Sequence, residues 1–329
     1  MIVNPNQENL SIGIVGAGAM GRGIAQVAAV GGCFVSLYDK NPEVTKAALE
    51  FINKMLFRAI DKNRMRASEV KNAIGRIKSV NKISEFKEVK VVIEAATEDL
   101  NIKRQIFDEL ESVVSKDTVI ASNTSSLSIT LIASKFKYPD RLAGLHFFNP
   151  VPLMKLVEVI NGVQTNPDVL DFLVALGKRL GREPILVADA PGFLVNQVGR
   201  GYTIEAANAC HERVASFSEI DHIMREAACF KMGPFELMDL TGIDVTHPAT
   251  KLIYEQFYHE PRFKPSILMQ SRMEGGFLGR KTGKGFYSYK DGKKNSGVER
   301  KCPLYDKRAV WVSHSNSDSY IKIYQLISS

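Results

Sequence analysis

The chain has 329 residues, of which 45% are hydrophobic and 24% charged, with 43 Lys+Arg against 36 Asp+Glu for a formal net charge of +7. That length supports two domains with a sizeable core, the composition excludes a disordered or fibrous chain, and no apolar run reaches the ~18–20 residues of a membrane span. The positive charge admits nucleic acid, a soluble anion carrying several phosphates, or chance, but no Lys/Arg cluster is interleaved with aromatics as in a nucleic-acid binder, so no nucleic-acid and no membrane partner is expected.

The opening residues 1–9 are polar and show no signal-peptide pattern. Cys33, Cys210, Cys229 and Cys302 are scattered, without zinc-ligand or redox-pair spacing. They read as reduced thiols of a cytoplasmic protein with no metal. The run Leu10-Ser-Ile-Gly-Ile-Val15 predicts a buried parallel strand. Gly16-Ala-Gly18-Ala-Met-Gly21 follows at once, and a helix is predicted over 22–30. In that setting Gly16 permits the tight turn, Gly18 lets a pyrophosphate approach the backbone, and Gly21 lets helix and strand pack closely. A second strand over 33–38 ends in Asp39, roughly 20 residues on, where a carboxylate holds the adenine ribose hydroxyls and repels a 2′-phosphate. The reading is a dinucleotide site for NAD, with Lys40 the one neighbour that softens the preference over NADP.

Residues 42–77 read as helical and basic, with Lys54, Arg58, Lys62, Arg64 and Arg66. This is longer than an ordinary crossover: either a solvated pair of helices or an arm offering cations to a phosphorylated substrate tail. A strand over 89–95 is followed by Glu98 and a helix carrying Lys103. Ends of parallel strands face ligands in open α/β sheets, so these two are either cofactor-cleft residues or a helix cap with a surface ion pair. A strand over 118–122 delivers Asn123, Ser125 and Ser126, cofactor or substrate contacts unless they merely cap a helix beginning near Leu127. The next strand, 141–145, delivers His146. The apolar segment Met154-Lys-Leu-Val-Glu158-Val-Ile then carries a lone carboxylate inside a strand-like run. Buried there, Glu158 needs a partner, and His146 is the candidate.

A last strand over 183–187 precedes Asp189-Ala-Pro-Gly-Phe-Leu-Val-Asn196. This stretch is read as opening a long helix to about Val214, with Pro191 in its first turn and Asn196 one turn inside. Helical patterning dominates beyond it, and Ser216-Phe-Ser-Glu219 forms an N-terminal box. A glycine-rich loop with cations over 275–287 is either a phosphate-contacting loop or an ordinary surface loop. The expected architecture is α/β. A Rossmann-type, mostly parallel sheet with a helical-arm insertion occupies residues 1–188, and an all-α C-terminal domain occupies residues 189–290.

In this order, Gly16-Ala-Gly-Ala-Met-Gly21, Ala121-Ser-Asn-Thr-Ser-Ser-Leu127, His146-Phe-Phe-Asn-Pro-Val-Pro-Leu-Met-Lys-Leu-Val-Glu158, Pro191-Gly-Phe-Leu-Val-Asn196, Met232-Gly-Pro-Phe-Glu236 and Gly283-Lys-Gly-Phe-Tyr287 closely resemble the L-3-hydroxyacyl-CoA dehydrogenase family. The likeness spans residues 10–290 and looks most like the bacterial 3-hydroxybutyryl-CoA dehydrogenase type, including the branch of phenylacetate breakdown. It implies NAD-dependent oxidation of a short-chain (S)-3-hydroxyacyl-CoA to the 3-oxoacyl-CoA, the β-oxidation step of fatty acid metabolism. His146 is then the general base assisted by Glu158, with Ser125 and Asn196 on the substrate. Glu98, Lys103, Ser125, Asn149 and Lys281 match cofactor-contacting positions, Asn123 is taken with them, and Lys62 falls where a lysine meets coenzyme A. Met55 stands where some members carry a serine in the arm. A homodimer through the C-terminal domain is also implied.

A base whose ordinary pKa of about 6.5 lies near working pH suits removal of a hydroxyl proton as hydride leaves the same carbon. A carboxylate behind it fixes the ring tautomer and stabilises the imidazolium. Two readings compete: a sugar-acid (gulonate-type) 3-dehydrogenase on the same scaffold, and a non-catalytic NAD-binding, crystallin-like member. The tail, residues 291–329 with Trp311, does not fit a single-unit member and looks like the start of an extension, as in a truncated or shortened chain.

Overall fold

The computed structural model describes residues 4–295, 321–323 and 325. The first half runs β1 (Ser11–Val15), α1 (Ala19–Val30), β2 (Phe34–Tyr38), α2 (Pro42–Asp61), α3 (Ala67–Gly75), β3 (Ile77–Ser79), β4 (Val91–Glu94), α4 (Leu100–Val113), β5 (Val119–Ser122) and α5 (Ile129–Ala133). It continues through β6 (Leu142–Phe147), β7 (Leu156–Asn161), α6 (Pro167–Arg179) and β8 (Glu183–Ala188). The strands form one eight-stranded sheet in the order β3-β2-β1-β4-β5-β6-β7-β8. Neighbours are parallel except β6 and β7, which run antiparallel.

Helices cover both faces, which is why β4, β5 and β6 are buried at every position. Ile12 and Ile14 turn to a core shared with α1 (Ile24, Ala28) and α6 (Val169, Leu173, Leu176), whereas Val15 and Val92 turn to Phe107 and Leu110 of α4. The strand period of two sorts the side chains between these cores. The chain leaves β1 for β2 and β3 on one side and returns through β4 on the other, which opens a crevice at the carboxyl ends of β1 and β4.

The second half is helical: α7 (Val195–His211), α8 (Phe217–Glu226), α9 (Pro234–Thr241), α10 (Ile243–Gln256) and α11 (Ile267–Glu274). It encloses its own core of Ala207, Phe235, Met238, Ile243, Met269 and Phe286. The expected N-terminal box is present: Ser216 caps α8 and Glu219 returns to the Ser216 N–H at 2.9 Å. Two buried aspartates tie the helices to the glycine-rich loop. Asp221 accepts from the N–H of Phe235 and Glu236 and from the Tyr287 hydroxyl, at 2.8–3.0 Å. Asp239 accepts from the N–H of Phe286 and Tyr287 and from the Tyr289 hydroxyl, each at 2.9 Å. A Cβ on Gly279 or Gly285 would collide with Asp239, which gives those glycines a packing reason.

The structure departs from the sequence expectations in three places. The basic segment is the pair of helices the sequence allowed, but a third, short strand follows where helix was expected to about residue 77: β3 pairs with β2 through Val35↔Ile77. Only Ile77 in β3 is apolar, so no alternation marked it. Ile52, Leu56, Val70 and Ala73 bury one face of the helix pair in the core that α1 shares, leaving Lys54 and Arg58 exposed on the other face of α2 and Lys62, Arg64 and Arg66 exposed around the turn between the helices. Finally, α7 begins at Val195, not at Pro191, and Asn196 is its second residue. Gly192 (φ +74°) and Phe193 (φ +49°) break the helix there because Phe193 plugs into the sheet core and Gly192 lies against Ile253. The tail expectation around Trp311 lies outside the described residues. No helix among the described residues is long and apolar enough to cross a membrane.

A Cβ on Gly21 would run into the Gly16 carbonyl, whereas one on Gly18 meets nothing within 4 Å. Gly21→Ala is therefore expected to cost about 2 kcal/mol or more, in the range of overpacking, and Gly18→Ala much less. Urea midpoints of the two variants check this; equal midpoints would show that α1 does not rest on the turn.

Candidate active site

The carboxyl ends of β1, β4, β5 and β6 share one edge of the sheet because these strands are parallel. After β1, Gly16 adopts φ +97° and lies so close to β4 that a Cβ would sit 2.5 Å from the Ala95 carbonyl. Asp39, after β2, accepts from the Ala17 N–H at 2.8 Å and from the Asn41 N–H at 3.0 Å. It braces the glycine turn as well as standing at the crevice. Gly18 is the N-cap of α1, and the space where its Cβ would stand is open. That opening above a helix N-terminus fits a pyrophosphate.

At the end of β4 lies a carboxylate that the sequence reading passed over. Glu94 is fully buried and accepts from the Lys103 ammonium and the Ala96 N–H, both at 2.7 Å, and from the Ser122 hydroxyl at 2.6 Å. Lys103, also fully buried, reaches on to Glu98 at 3.3 Å. Glu98 in turn gathers the loop after β5 on one oxygen. The Thr124 hydroxyl donates at 2.6 Å, the Ser125 N–H at 2.8 Å, the Ser126 hydroxyl at 2.9 Å and the Ser126 N–H at 3.0 Å. Burial works to raise the Glu98 pKa, but the Thr124 hydrogen bond, the Lys103 charge and the Ser125 and Ser126 donors outweigh it and hold the carboxyl below its ordinary value. The cap of α4 is Asp99, not Glu98; the interior ion pair of Lys103 is with Glu94, while its contact to Glu98 reaches a carboxylate that is 36% exposed. Lys103 thus acts through Glu98 on the shape of the loop.

The helix after that loop begins at Ile129 and is capped by Ser128, and Asp189 accepts from Ser128, Ile129 and Thr130 at 2.8–3.0 Å. Ser125 is left exposed, its hydroxyl held only by a long 3.3 Å contact to Glu98. Asn123 accepts from the Phe147 N–H at 2.8 Å and so locks the loop to β6.

His146 and Glu158 face each other across the antiparallel β6–β7 pair, in register. The His146 Nδ1 lies 2.7 Å from the Glu158 Oε2. Glu158 is fully buried and His146 is 5% exposed. The other oxygen, Oε1, accepts from the N–H groups of Leu194 and Val195, each at 2.9 Å. An ionised carboxylate accepts and cannot donate, so Nδ1 carries the proton and Nε2 of the neutral ring keeps its lone pair. Phe148 and Phe193 wall the imidazole at 4.5 and 5.8 Å between ring centroids. Because Glu158 holds the start of α7, Asn196 is placed one residue beyond this anchor.

His146, Glu158, Ser125, Asn123, Glu98, Asn196 and the glycine turn therefore gather along one edge. Asn149 is exposed shortly after β6. Lys62 is the exposed C-cap of α2, and the Lys281 ammonium is held by Asp244 of α10 at 2.6 Å, so both belong to other surroundings. Besides Glu94, sequence reading missed Asp189, Thr124 and Phe193. Glu94 carried the same signal as Glu158, a carboxylate at an apolar strand; the other three carried none beyond their neighbours.

Comparison with known proteins matches two family models. Residues 11–190 match the 3-hydroxyacyl-CoA dehydrogenase NAD binding domain and residues 192–289 its C-terminal domain. The 3-hydroxyadipyl-CoA dehydrogenase of Escherichia coli is 41% identical over 280 residues, 85% of this chain, of which the chain spans only 59%. The probable 3-hydroxybutyryl-CoA dehydrogenase of Bacillus subtilis is 38% identical, covering 84% of this chain and 96% of that protein. The crystal structure of (S)-3-hydroxybutyryl-CoA dehydrogenase from Ralstonia eutropha superposes with a TM-score of 0.83 at 39% identity, covering 85% of this chain and 99% of that one.

Since the folded pKa of Glu98 is depressed, its ionised form stabilises the fold above the ordinary carboxyl value of about 4.3. That contribution is lost as pH falls through the lower, folded value. Glu98→Gln is expected to lose less stability than wild type between about pH 5 and 3, read from urea unfolding at each pH. Parallel curves would mean that Glu98 is not held ionised by the loop.

Proposed function

The chain belongs to the 3-hydroxyacyl-CoA dehydrogenase family, and on that premise we propose that it oxidises short-chain (S)-3-hydroxyacyl-CoA, of the 3-hydroxybutyryl-CoA kind, to the 3-oxoacyl-CoA. NAD is the cofactor and, when bound, supplies the hydride acceptor. Gly16, Gly18, Gly21 and Asp39 would hold its pyrophosphate and ribose, with Glu98, Asn123 and Asn149 as further contacts and Lys103 supporting Glu98. One observation carries the reading: the buried Glu158 lies 2.7 Å from the His146 Nδ1, an arrangement that leaves Nε2 to act as the base.

In this mechanism Ser125 and Asn196 orient the C3 oxygen, an effect that replaces a search in solution by a fixed geometry. His146 takes the hydroxyl proton on Nε2. The imidazolium that results is stabilised by Glu158, which stays ionised because Leu194 and Val195 continue to donate to it. In the reductive direction His146 returns the proton to the oxygen. Phe148 and Phe193 exclude water from the ring. Lys62 and the exposed cations of α2 and α3 would meet the coenzyme A phosphates. The division into residues 1–188 and 189–290 follows the separate cores. A homodimer through the helical unit would cover exposed apolar side chains there, among them Val198, Ile223, Phe230 and Val245. A cytoplasmic place and the absence of nucleic-acid or membrane partners complete the reading.

The first test is NADH consumption with acetoacetyl-CoA. Wild type is expected to turn over; His146→Gln and Glu158→Gln are expected to lose about 100-fold or more of kcat while retaining NADH binding by fluorescence titration. Full turnover in Glu158→Gln would remove the dyad, and an inactive wild type that still binds NADH would point to a sugar acid. Asp39→Ala is expected to lower the NAD to NADP preference in kcat/KM; an unchanged ratio would leave Asp39 only its role in bracing the turn.

A further inference from the structure

We propose that Glu94 is a positioning residue for the reaction: its negative charge holds the Lys103 ammonium in the core, which leaves Glu98 turned toward the loop after β5 and fixes the Ser125 hydroxyl where the substrate oxygen meets it. This rests on the reading above, in which Ser125 orients the C3 oxygen. Glu94 touches neither substrate nor cofactor in this scheme and acts through Lys103 and Glu98.

Two acids share one interior cation. Lys103 stands 2.7 Å from the Glu94 Oε1 and 3.3 Å from the Glu98 Oε2. Coulomb attraction weakens with distance and with access to water. Glu94, nearer and fully buried, therefore holds the larger share of the ammonium, and the partly exposed Glu98 holds the smaller. That division pairs Lys103 with one Glu98 oxygen and leaves the other, Oε1, to the loop. On Oε1 converge the Thr124 and Ser126 hydroxyls and the Ser125 and Ser126 N–H groups. Ser125 is anchored there through its N–H at 2.8 Å, and its hydroxyl lies 3.3 Å from the same oxygen. Among the described residues that hydroxyl has no other hydrogen-bond partner.

Without the Glu94 charge the balance shifts. A fully buried ammonium needs a counter-charge, and Glu98 is the carboxylate already at its side. Glu98 then turns inward, Oε1 goes to Lys103, and the four loop donors lose the acceptor they share. A displacement of about 1 Å in a group that orients the substrate is enough to cost on the order of a hundredfold in rate. Glutamine at this position isolates the effect of charge. Its amide has the same shape, and its oxygen still accepts from the Ala96 N–H, which Glu94 holds at 2.7 Å. Its NH2 faces the Ser122 oxygen, 2.6 Å from the second Glu94 oxygen. The turn at the end of β4, against which Gly16 packs, is thereby kept. An acid that merely filled the core would act on the fold as a whole and not on one hydroxyl.

The test is a double-mutant cycle on kcat for acetoacetyl-CoA reduction at saturating NADH. Glu94→Gln is expected to lower kcat about tenfold or more, while NADH binding by fluorescence titration is retained. In a Ser125→Ala background the same substitution is expected to cost less than about twofold, because the group it positions is gone. Equal losses in the two backgrounds overturn the proposal, since a purely structural defect lowers kcat whether or not Ser125 is present. Wild-type kcat in Glu94→Gln overturns it too, and so does wild-type kcat in Ser125→Ala. If the unpaired Lys103 keeps Glu94→Gln from folding, the pair Glu94→Gln/Lys103→Met, which leaves no odd charge in the core, takes its place in the cycle. Its loss must likewise vanish in Ser125→Ala, and a loss of the same size there overturns the proposal. Failure of the wild type to reduce acetoacetyl-CoA strikes the thioester reading, a result separate from the shape of the cycle.

Discussion

The two halves of this protein meet on one buried carboxylate. Glu158 is fully buried, and each of its oxygens has its own partners: His146 on one side, the Leu194 and Val195 N–H groups on the other. A carboxylate in that position without partners would be among the most costly features a fold can carry, and removing one partner of a buried pair commonly costs about 3–5 kcal/mol. The antiparallel turn from β6 to β7 is what puts Glu158 opposite His146, and the break at Gly192 and Phe193 is what aims the start of α7 at its second oxygen. Strand direction, linker geometry and base orientation are thus one requirement seen from three sides. The positive end of the α7 dipole adds to the same effect.

A second interior charge network does for the loop after β5 what Glu158 does for the imidazole. Glu94 and Lys103 neutralise each other in the core, and Lys103 passes its remaining field to Glu98. Glu98 then draws Thr124, Ser125 and Ser126 onto a single oxygen. The hydroxyl groups of this loop are therefore set by acids at and just after the end of the neighbouring strand. Arg200 stands in contrast: a half-buried cation whose internal partners are all neutral. Arg179 and Arg182 are held in the same way, on backbone carbonyls, and the buried Asp221 and Asp239 rest on N–H and hydroxyl donors.

The Glu158–His146 pairing was legible because a lone carboxylate flanked by Val157 and Val159 contradicts its own setting, and a contradiction of that kind needs a partner. Glu94 presented the same contradiction and was passed over, its place at a strand end making solvent a ready explanation. Strand β3 was invisible because Lys78 and Ser79 carry no pattern and pair only at an edge. Pro191 misled because proline favours the first turn of any helix, while the demand that moved the helix start to Val195 came from Phe193 packing into a different domain. The cations Lys54, Arg58, Lys62, Arg64 and Arg66 stood out in the sequence, but their exposure depended on Ile52, Leu56, Val70 and Ala73 turning inward to the core that α1 shares.

By itself the sequence determined the doubly wound half, since β1 and the glycine turn with Asp39 encode a local geometry in which each residue answers to its immediate neighbours. It also singled out His146 and Glu158 through residue type and context, and Ser125 and Asn196 through the family resemblance. Only the tertiary structure decided which oxygen of Glu158 serves the imidazole and which serves α7, and that Lys103 supports Glu98 from the interior. Those outcomes depend on contacts between residues distant in the chain, where burial and dielectric are set by whatever packs alongside, and no local pattern encodes the partner that finally arrives.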